Sequence, residues 1–364
     1  MMNQANLQPE ERIRVMVVDD SAVIRRLVTQ VLERDPMLQV VGTASNGVLG
    51  LQRIPQWNPH VITLDIEMPD MDGLEMLRRI RQQYPLLRVI MFSTLTERGA
   101  AITLEALTLG ADDYVAKASN EGSLEQSLSR LQMEMLPKIK QFFHTAGRAQ
   151  ETSTATAAIS MRQAEAMPHR PAVPPKMVAI GISTGGPTAL GTILPTLPAD
   201  FPLPILIVQH MPPLFTRLLA ERLNSSCKLR VEEACDGSLI ESGRILIAPG
   251  DFHMKVVQNH GAACISLDQS PQQNFCRPAV DVLFHSSGAV FGGAVLAAVL
   301  TGMGQDGCRG AAVLKAQGAS VLAQDEATSV VWGMPGAVVA AGLADRILPL
   351  HEVVPEILRI AGRN

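Results

Sequence analysis

Short apolar runs of strand length alternate with segments of helical pattern along most of this chain, and that alternation limits the folds open to it. Five runs lie in the first half and five in the second. They are residues 13–18, 38–44, 60–64, 88–92 and 113–117, then 177–183, 204–210, 244–249, 294–301 and 319–324. Repeated strand–helix units are typical of parallel sheets covered by helices on both faces. The sequence predicts an α/β fold with two doubly wound domains, the first a (βα)5 unit and the second mostly parallel.

A stretch with the composition of a linker separates the two sets of runs. From Thr145 to Pro175 it holds eight Ala, six Ser or Thr and four Pro, but only Ile159 and Val173 from the Leu, Ile, Val and Phe group. That is too little apolar material to build a core. We therefore expect four segments, namely an N-terminal tail at 1–12, a first domain at 13–140, a linker at 141–175 and a second domain at 176–364.

Charge and aromatic content argue against the binding of nucleic acid. The chain carries 31 Lys or Arg against 35 Asp or Glu, a net charge of −4, and 4% of its residues are aromatic. Such a surface offers few cations to phosphates and few rings to stacked bases. Hydrophobic residues make up 47% of the chain, which is enough for two cores.

Nothing in the cysteine pattern or the first twelve residues indicates secretion. The five cysteines show no C-x-x-C spacing, which argues against a disulfide framework or a structural zinc site. We expect buried, reduced thiols in a cytoplasmic protein. Residues 282–305 are uncharged and long enough to cross a bilayer, but Gly, Ser and His interrupt them. We expect a buried helix ending near Phe291, then a strand, and no membrane insertion.

The first domain carries charged and polar residues where its predicted strands stop. Asp19 and Asp20 come after the first strand, Asp65 after the third, Ser93 after the fourth and Lys117 after the fifth. These strand ends meet at one sheet edge, where three carboxylates repel one another unless a hard cation such as Mg²⁺ lies among them. With that cation and Lys117 to neutralise phosphoryl oxygens, an aspartate can form an aspartyl phosphate. Taken singly, Asp20 and Ser21 fit a helix cap better, and Asp65 the start of a loop.

Four motifs at these strand ends resemble the receiver domain of bacterial response regulators, over roughly residues 13–135. They are VVDDS (17–21), LDIEMPDMDG (64–73), MFST (91–94) and DDYVAK (112–117). The resemblance implies phosphorylation of Asp65, phosphoryl contacts from Ser93 and Lys117, and a change of position of Tyr114 on activation. It also implies that Mg²⁺ is held by Asp19, Asp20, Asp65 and the backbone carbonyl of Glu67.

The second domain places a serine on a turn between a strand and a helix. Ser183 lies in a G-x-S-x-G pattern, where the following backbone N–H groups would face a developing oxyanion. His210 ends the next strand and Asp306 follows a later one, so a base and its orienting acid reach the same edge. This Ser, His, Asp order differs from that of the α/β-hydrolase fold. A helix cap or anion cradle at Ser183, and a histidine bonded only to backbone, are the alternatives.

A competing pattern is the G-x-G-x-x-G of Gly302–Gly307, with Asp325 and Glu326 ending the next strand. It matches a dinucleotide fingerprint but follows a late strand of the domain and leaves Ser183 and His210 unexplained. A nucleotide-binding module without chemistry is therefore the second hypothesis for this domain.

Five motifs in the second half, behind a receiver and a linker, resemble the protein-glutamate methylesterases of bacterial chemotaxis, the CheB family. They are IGISTGGP (180–187), IVQHMP (207–212), RPAVDVLF (277–284), LTGMGQDG (300–307) and AQDEATSVVWGMPGAV (323–338). The resemblance implies Ser183 as nucleophile, His210 as base and then acid, and Asp306 as the group that orients the imidazole. It also implies the backbone N–H of Met303 as an oxyanion donor, with Thr184 close by.

The same resemblance implies the reaction and the partners. The substrates would be γ-methyl esters of glutamyl residues on chemoreceptors, hydrolysed to carboxylate and methanol, and receptor glutamines that are deamidated. A CheA-type histidine kinase would supply the phosphoryl group, phosphorylation would relieve a block by the receiver, and the esterase domain would need no cofactor. Three residues stay open between a functional and a structural role, namely Arg277, Asp281 and Cys308.

Overall fold

The computed structural model describes residues 6–7, 11–94, 96–117, 124–145 and 173–362. Contacts divide the chain into two units, Met1–Ala164 and Glu165–Asn364. Most of the expected linker and tail lies outside the described residues, so those two boundaries stay predictions.

The first unit contains a five-stranded parallel sheet in the order β3-β2-β4-β5-β6. Its elements are β1 (Asn6–Leu7), β2 (Ile13–Val18), α1 (Ala22–Leu32), β3 (Leu38–Ala44), α2 (Gly47–Trp57), β4 (Val61–Asp65), α3 (Gly73–Gln83), β5 (Arg88–Ser93), α4 (Glu97–Thr108), β6 (Asp113–Ala116), α5 (Leu124–Lys140) and β7 (His144–Thr145). The short strands β1 and β7, which the sequence analysis did not predict, pair in parallel. The five predicted strands are present, and the predicted α/β class is confirmed.

Local sequence explains where the helices of this unit begin. The side chains of Ser21, Asn46, Asp72 and Thr96 accept hydrogen bonds from backbone N–H groups in the first turns of α1 to α4. Such caps satisfy donors that have no partner within the helix. The helix-cap interpretation is therefore confirmed for Ser21 but not for Asp20, since Ser21 alone is the N-cap of α1. All five residues of the central strand β4 are buried, as expected for a strand covered on both faces.

The second unit is built on a seven-stranded sheet, in the order β10-β11-β9-β8-β14-β15-β16, in which every neighbouring pair is parallel. Its elements are β8 (Met177–Ile182), α6 (Gly186–Ile193), β9 (Ile205–Gln209), α7 (Phe215–Ser226), β10 (Arg230–Glu233), β11 (Arg244–Ile247), β12 (His253–Asn259), β13 (Ala262–Asp268), α8 (Val280–Phe291), β14 (Val295–Val299), α9 (Cys308–Ala316), β15 (Ser320–Gln324), α10 (Met334–Ala340), β16 (Arg346–Leu348) and α11 (Leu350–Ile360). The strands β12 and β13 pair with each other in antiparallel orientation and form a separate two-stranded sheet.

The uncharged segment at 282–305 forms parts of α8 and β14. Leu283 and Phe284 of α8 pack into the same buried cluster as Val295 and Ala297 of β14. Across the described ranges, no helix combines the length and the hydropathy needed to span a bilayer.

The prediction that the cysteines are buried is wrong for most of them. All five are free thiols, but only Cys264, on β13, is buried, and Cys235 is exposed. The remaining three are partly buried because they lie at helix ends or in a loop rather than within the sheet.

The start of α3 lies so close to the end of β4 that only glycine fits at position 73. A Cβ atom there would lie 2.1 Å from the backbone oxygen of Asp65. Because backbone cannot swing aside, we expect Gly73→Ala to destabilise the first unit by about 1–3 kcal/mol, measured by calorimetric unfolding of the full chain. Gly191→Ala in α6 is the control, since its Cβ meets nothing within 4 Å. Equal melting of wild type and Gly73→Ala would contradict this packing.

Candidate functional site

The carboxyl edge of the first sheet holds an acidic cavity with one lysine. Asp19 follows β2, Asp65 ends β4 and Lys117 follows β6. The Nζ atom of Lys117 lies 2.7 Å from Asp65 Oδ1 and 3.1 Å from Asp19 Oδ2. Both aspartates are almost fully buried. The predicted convergence of these strand ends is therefore present in the structure.

The donor set of this cavity fits a hard divalent cation. Asp19, Asp20 and Asp65 each offer a carboxylate oxygen, and these oxygens lie within 4.8 Å of one another. The Oδ2 atom of Asp19 is buried and accepts no hydrogen bond of acceptable geometry from the described residues, although Lys117 lies near it. Oxygen ligands of this kind are what Mg²⁺ prefers. Glu67 also lines the cavity, whose volume is about 250 Å³.

Burial and the neighbouring carboxylate set the protonation of Asp65. Burial, with a smaller effect of the Asp19 charge, raises the pKa of Asp65 from its ordinary 3.8 to about 6, against the opposing effects of Lys117 and the Ile66 N–H. Burial disfavours the charge of Lys117, but its ion pairs with Asp65 and Asp19 outweigh this and raise its pKa. Lys117 therefore stays a cation at neutral pH. The Asp65 carboxyl group, with a pKa of about 6, loses its proton only slightly below neutral pH.

The remaining predicted residues of the first unit differ in how close they come to the cavity. Ser93 lines it, but its hydroxyl donates to Gly99 O at 3.3 Å and accepts from Thr103 Oγ1 at 2.6 Å, both on α4. Among the residues that the structure describes, Tyr114 does not line the acidic cavity. Its ring is buried, with Lys138 Nζ 4.6 Å from the ring centroid. The structure thus gathers the predicted acidic residues and Lys117, with Ser93 turned towards α4 and Tyr114 apart.

In the second unit, Ser183 follows β8, the strand at which the order of the sheet reverses. Ligands of doubly wound folds bind at such points, outside the carboxyl ends of the strands. The N–H of Ser183 donates to Thr301 O at 2.9 Å, and its carbonyl accepts from Gly186 N at 2.8 Å and from Gln209 Nε2 at 3.0 Å. These bonds fix the turn against β9 and β14 and leave the partly exposed Ser183 side chain in front of α6.

The partly buried His210 and the buried Asp306 form a hydrogen-bonded pair at the same edge. His210 Nε2 lies 2.8 Å from Asp306 Oδ2, and the N–H of His210 donates to Ile182 O at 3.2 Å, next to Ser183. The N–H groups of Val280 and Asp281, at the start of α8, donate to Asp306 at 2.6 and 3.0 Å. A helix N-terminus therefore supports the negative charge that faces His210.

The pKa values of the pair move in opposite directions. Burial alone would raise the pKa of Asp306, but the bond and charge of His210, with the α8 N–H groups, hold it below its ordinary value. Burial alone would lower the pKa of His210, but the hydrogen bonds and charges of Asp306 and Cys276 outweigh it and raise that pKa to about 10. In this arrangement the imidazole is held as a cation.

Cys276, rather than Ser183, occupies the second ring nitrogen of His210. Its Sγ lies 3.6 Å from Nδ1, and among the described residues no hydrogen bond joins the Ser183 hydroxyl to this ring. The structure thus brings Ser183, His210 and Asp306 to one sheet edge but bonds only the last two directly. Sequence analysis missed Cys276, and also Asn274, whose amide donates to Asp306 Oδ1 at 2.8 Å. Their position just before the RPAVDVLF motif was the one available indication.

Met303 and Thr184 lie on the two loops around Ser183. The backbone N–H of Met303 has no hydrogen-bond partner among the described residues, and its side chain is 41% exposed. The carbonyl of Thr184 accepts from Thr301 Oγ1 at 2.9 Å. A Cβ atom on Gly302 would lie 2.7 Å from Ser183 Cβ, so glycine is required where the Met303 loop meets the serine turn.

Backbone conformation explains the remaining glycines of the G-x-G-x-x-G pattern without a nucleotide. Gly304 and Gly307 adopt φ values of 87° and 91°, which favour glycine. Asp325 accepts from the N–H and hydroxyl of Thr328 at 3.0 and 2.6 Å, within its own turn. These contacts favour the structural interpretation of the motif over the nucleotide hypothesis.

The three open residues of the second unit have structural partners. Arg277 donates to Asp251 Oδ1 at 2.6 Å and to Gln269 O at 2.8 Å. Asp281 is buried and accepts from Gly310 N at 2.7 Å. Burial and the Asp281 charge raise the pKa of the Cys308 thiol, which is the opposite of activation.

Comparisons with known proteins agree with both halves of the sequence analysis. A family model described as CheB methylesterase matches residues 178–357, and one described as response regulator receiver domain matches residues 15–129. Proteins of Nocardioides sp. (strain ATCC BAA-499 / JS614) and Trichodesmium erythraeum (strain IMS101), both named protein-glutamate methylesterase/protein-glutamine glutaminase, are 51% and 48% identical. The first alignment covers 97% of this chain and 96% of the relative, and the second covers 96% and 99%.

A solved structure resembles the second unit. The crystal structure of the Thermotoga maritima CheB methylesterase catalytic domain is 44% identical and covers 52% of this chain and 100% of its own, with a TM-score of 0.50.

The raised pKa of Asp65 makes the first unit less stable as pH rises. The folded state holds this proton more tightly than the unfolded state, so in metal-free buffer the free energy of unfolding should fall by about 3 kcal/mol from below pH 4 to above pH 6. Asp65→Asn keeps the shape and removes the titration. At pH 7.5 without metal we expect it to melt at a higher temperature than wild type, measured by calorimetry. Added Mg²⁺ should stabilise wild type more than this variant, and a lower-melting variant in chelator would contradict the assignment.

The contact of Cys276 with Nδ1 supports the protonated form of His210. We expect Cys276→Ala to move the titration of the His210 imidazole to lower pH, because an acceptor is lost while Asp306 remains. NMR of histidine-labelled protein measures the titration midpoint, with the resonance assigned by its absence in His210→Gln. Cys235→Ala, at an exposed cysteine, is the control. An unchanged midpoint in Cys276→Ala would show that the thiol does not act on the ring.

Proposed function

Since this chain belongs to the CheB methylesterase family, we propose that it hydrolyses glutamyl γ-methyl esters of chemoreceptors by a Ser-His-Asp mechanism, in chemotaxis adaptation. It is a carboxylic ester hydrolase, a protein-glutamate methylesterase with a receiver domain. The observation that carries the mechanism is the hydrogen bond of 2.8 Å between His210 Nε2 and Asp306 Oδ2, on strands that flank the one ending at Ser183. The relatives' names include glutaminase, and deamidation of receptor glutamines would use the same acyl-enzyme.

Ser183 begins the reaction by attacking the ester carbonyl carbon through Oγ. Its proton passes to Nδ1 of His210, because Nε2 is bonded to Asp306. The carbonyl electron pair moves to the oxygen. The N–H of Met303, which has no partner within the described part of the chain, is available to stabilise that oxyanion. Cys276 Sγ lies 3.6 Å from Nδ1, where it favours the imidazolium form of the ring. Before His210 can act as base, Cys276 must leave this position and the ring must release its Nδ1 proton to solvent.

Collapse of the oxyanion then breaks the bond to the methoxy oxygen. His210 gives its proton to that oxygen, so that methanol leaves and an acyl-Ser183 ester remains. A water molecule attacks this ester with His210 again as base, which restores the Ser183 hydroxyl and releases the glutamyl carboxylate. The anionic Asp306 stabilises the imidazolium in both halves of the reaction.

The acidic cavity supports a phosphorylation switch in the first unit. We propose that Asp65 accepts a phosphoryl group from a histidine kinase of the CheA type, with Lys117 and Ser93 contacting its oxygens. Mg²⁺, held by Asp19, Asp20, Asp65 and the Glu67 carbonyl, would neutralise charge on those oxygens. Ser93 would have to turn its hydroxyl from Gly99 and Thr103 to take part. Tyr114 is the proposed switch residue, and phosphorylation is proposed to stimulate the esterase. The site of action is proposed to be the cytoplasm.

Methanol release from methylated chemoreceptor tests both sites in one assay. We expect Ser183→Ala to lower kcat by at least about 10⁴-fold, because the nucleophile is lost. Acetyl phosphate with Mg²⁺ should stimulate wild type, whereas Asp65→Asn should lose only the stimulation. Ser225→Ala, at an exposed serine of α7, is the control. No methanol from wild type under any condition, while the first unit still takes up phosphate, would contradict the esterase proposal and favour a binding module.

A further inference from the structure

A narrow turn at residues 273–276 reaches the His210–Asp306 pair from outside the sheet. Gln273 and Cys276 exchange backbone hydrogen bonds of 3.1 and 2.9 Å, and the two residues between them, Asn274 and Phe275, have φ values of 50° and 63°. Asparagine tolerates this left-handed conformation, whereas phenylalanine rarely adopts it. The Phe275 side chain is 96% exposed, so its burial does not offset the strain. The turn must be held in place by its other contacts.

Asn274 makes the most informative of these contacts. Its single amide nitrogen donates to Asp306 Oδ1 at 2.8 Å and to Asp281 Oδ2 at 2.9 Å. Both carboxylates are about 1% exposed. The amide group has two N–H hydrogens, so it can give one to each carboxylate.

No cationic side chain among the described residues pairs with Asp281, and only His210 pairs with Asp306. The remaining donors to the two carboxylates are backbone N–H groups of residues 280, 281, 307 and 310. Two desolvated carboxylates so close together repel, and without a donor between them they tend to share one proton. A protonated Asp306 could not balance the charge of the His210 imidazolium.

We propose that Asn274 is a positioning residue of the esterase reaction, which gives one N–H to each of Asp281 and Asp306 and thereby holds Asp306 as an anion against His210 Nε2. The reaction itself rests on the proposed function, whereas the two hydrogen bonds of Asn274 do not. Other titratable or charged groups around this cluster are Cys276 on His210 Nδ1, Cys308 on α9 near Asp281, and Arg309 near Cys308.

Three substitutions in the turn separate the effect of the Asn274 side-chain amide from the effect of the backbone conformation. Asn274→Gly accepts the positive φ and loses both N–H groups. Asn274→Asp keeps size and shape but replaces the donor by a third carboxylate. Phe275→Gly relieves the strained position and leaves the amide in place, so it is the matched control for the turn.

We expect the Asn274 variants to lose kcat rather than substrate binding, and to lose it on the acid side of the pH profile. At pH 7, Asn274→Gly should lower kcat for methanol release by about 10- to 100-fold, with KM within about twofold of wild type, because a displaced catalytic group costs rate rather than binding. The acid limb of kcat/KM should move to higher pH, because the lost N–H no longer stabilises the deprotonated His210–Asp306 pair that can act as base. The loss should shrink as the pH passes the displaced limb. Asn274→Asp should show a larger shift, whereas Phe275→Gly should leave the limb where it is in wild type.

Proton NMR of the full chain gives a readout that needs no esterase activity. The Nε2–H proton between His210 and Asp306 should give a downfield resonance, assigned by its absence in His210→Gln. In Asn274→Gly and Asn274→Asp this resonance should broaden or disappear on acidification at a higher pH than in wild type. A wild type that shows the resonance but releases no methanol would contradict the proposed function, and the variants would still decide the role of Asn274.

The proposal fails if both Asn274 variants keep the wild-type pH profile and the wild-type resonance. A fall in kcat without either change would make Asn274 a purely structural residue, which also overturns it. Unfolding midpoints are measured beside the kinetics, and if Asn274→Gly fails to fold, the isosteric Asn274→Asp decides the outcome alone.

Discussion

Burial of carboxylates at the carboxyl edges of two parallel sheets is the constraint on which both sites depend. An anion removed from water is costly unless its partners replace the lost solvation. In the first unit the partner is Lys117, and burial still prevails, so the pKa of Asp65 rises. In the second unit a helix N-terminus and His210 prevail, so the pKa of Asp306 falls. The same residue type is thus easily protonated in the first sheet, as Asp65, and held as an anion in the second, as Asp306.

The parallel sheets were predictable because their strands are continuous apolar runs covered on both faces. The edge strands of the second sheet, β10 and β16, could not be predicted in this way. The sequence of β10 is RVEE, with one apolar residue, and β16 has three residues, of which Ile347 is 48% exposed. A strand that faces solvent on one side and has a neighbour on one side only carries little hydrophobic pattern. The sequence therefore located the centre of the second sheet better than its margins, whereas the apolar edge strands β3 and β6 of the first sheet were predicted.

The site residues that follow strands were found for the same reason, since Asp65, His210 and Asp306 stand where apolar runs stop. Asn274 and Cys276 could not be found this way. They lie in an irregular turn, and they contact residues 32 and 66 positions away in the chain. Contacts of that kind depend on tertiary packing rather than on local periodicity, and a single sequence carries no record of them.

The close approach of Gly302 to Ser183 limits how this enzyme can change. With 2.7 Å between a hypothetical Cβ at position 302 and the Ser183 Cβ, neither loop can gain bulk unless the other retreats. The two loops belong to neighbouring strands that are far apart in sequence, so a successful change would need paired mutations, each harmful alone. The exposed tip at Phe275 has no such restriction. Natural variation and laboratory evolution therefore have an easier starting point at that tip than beside Ser183.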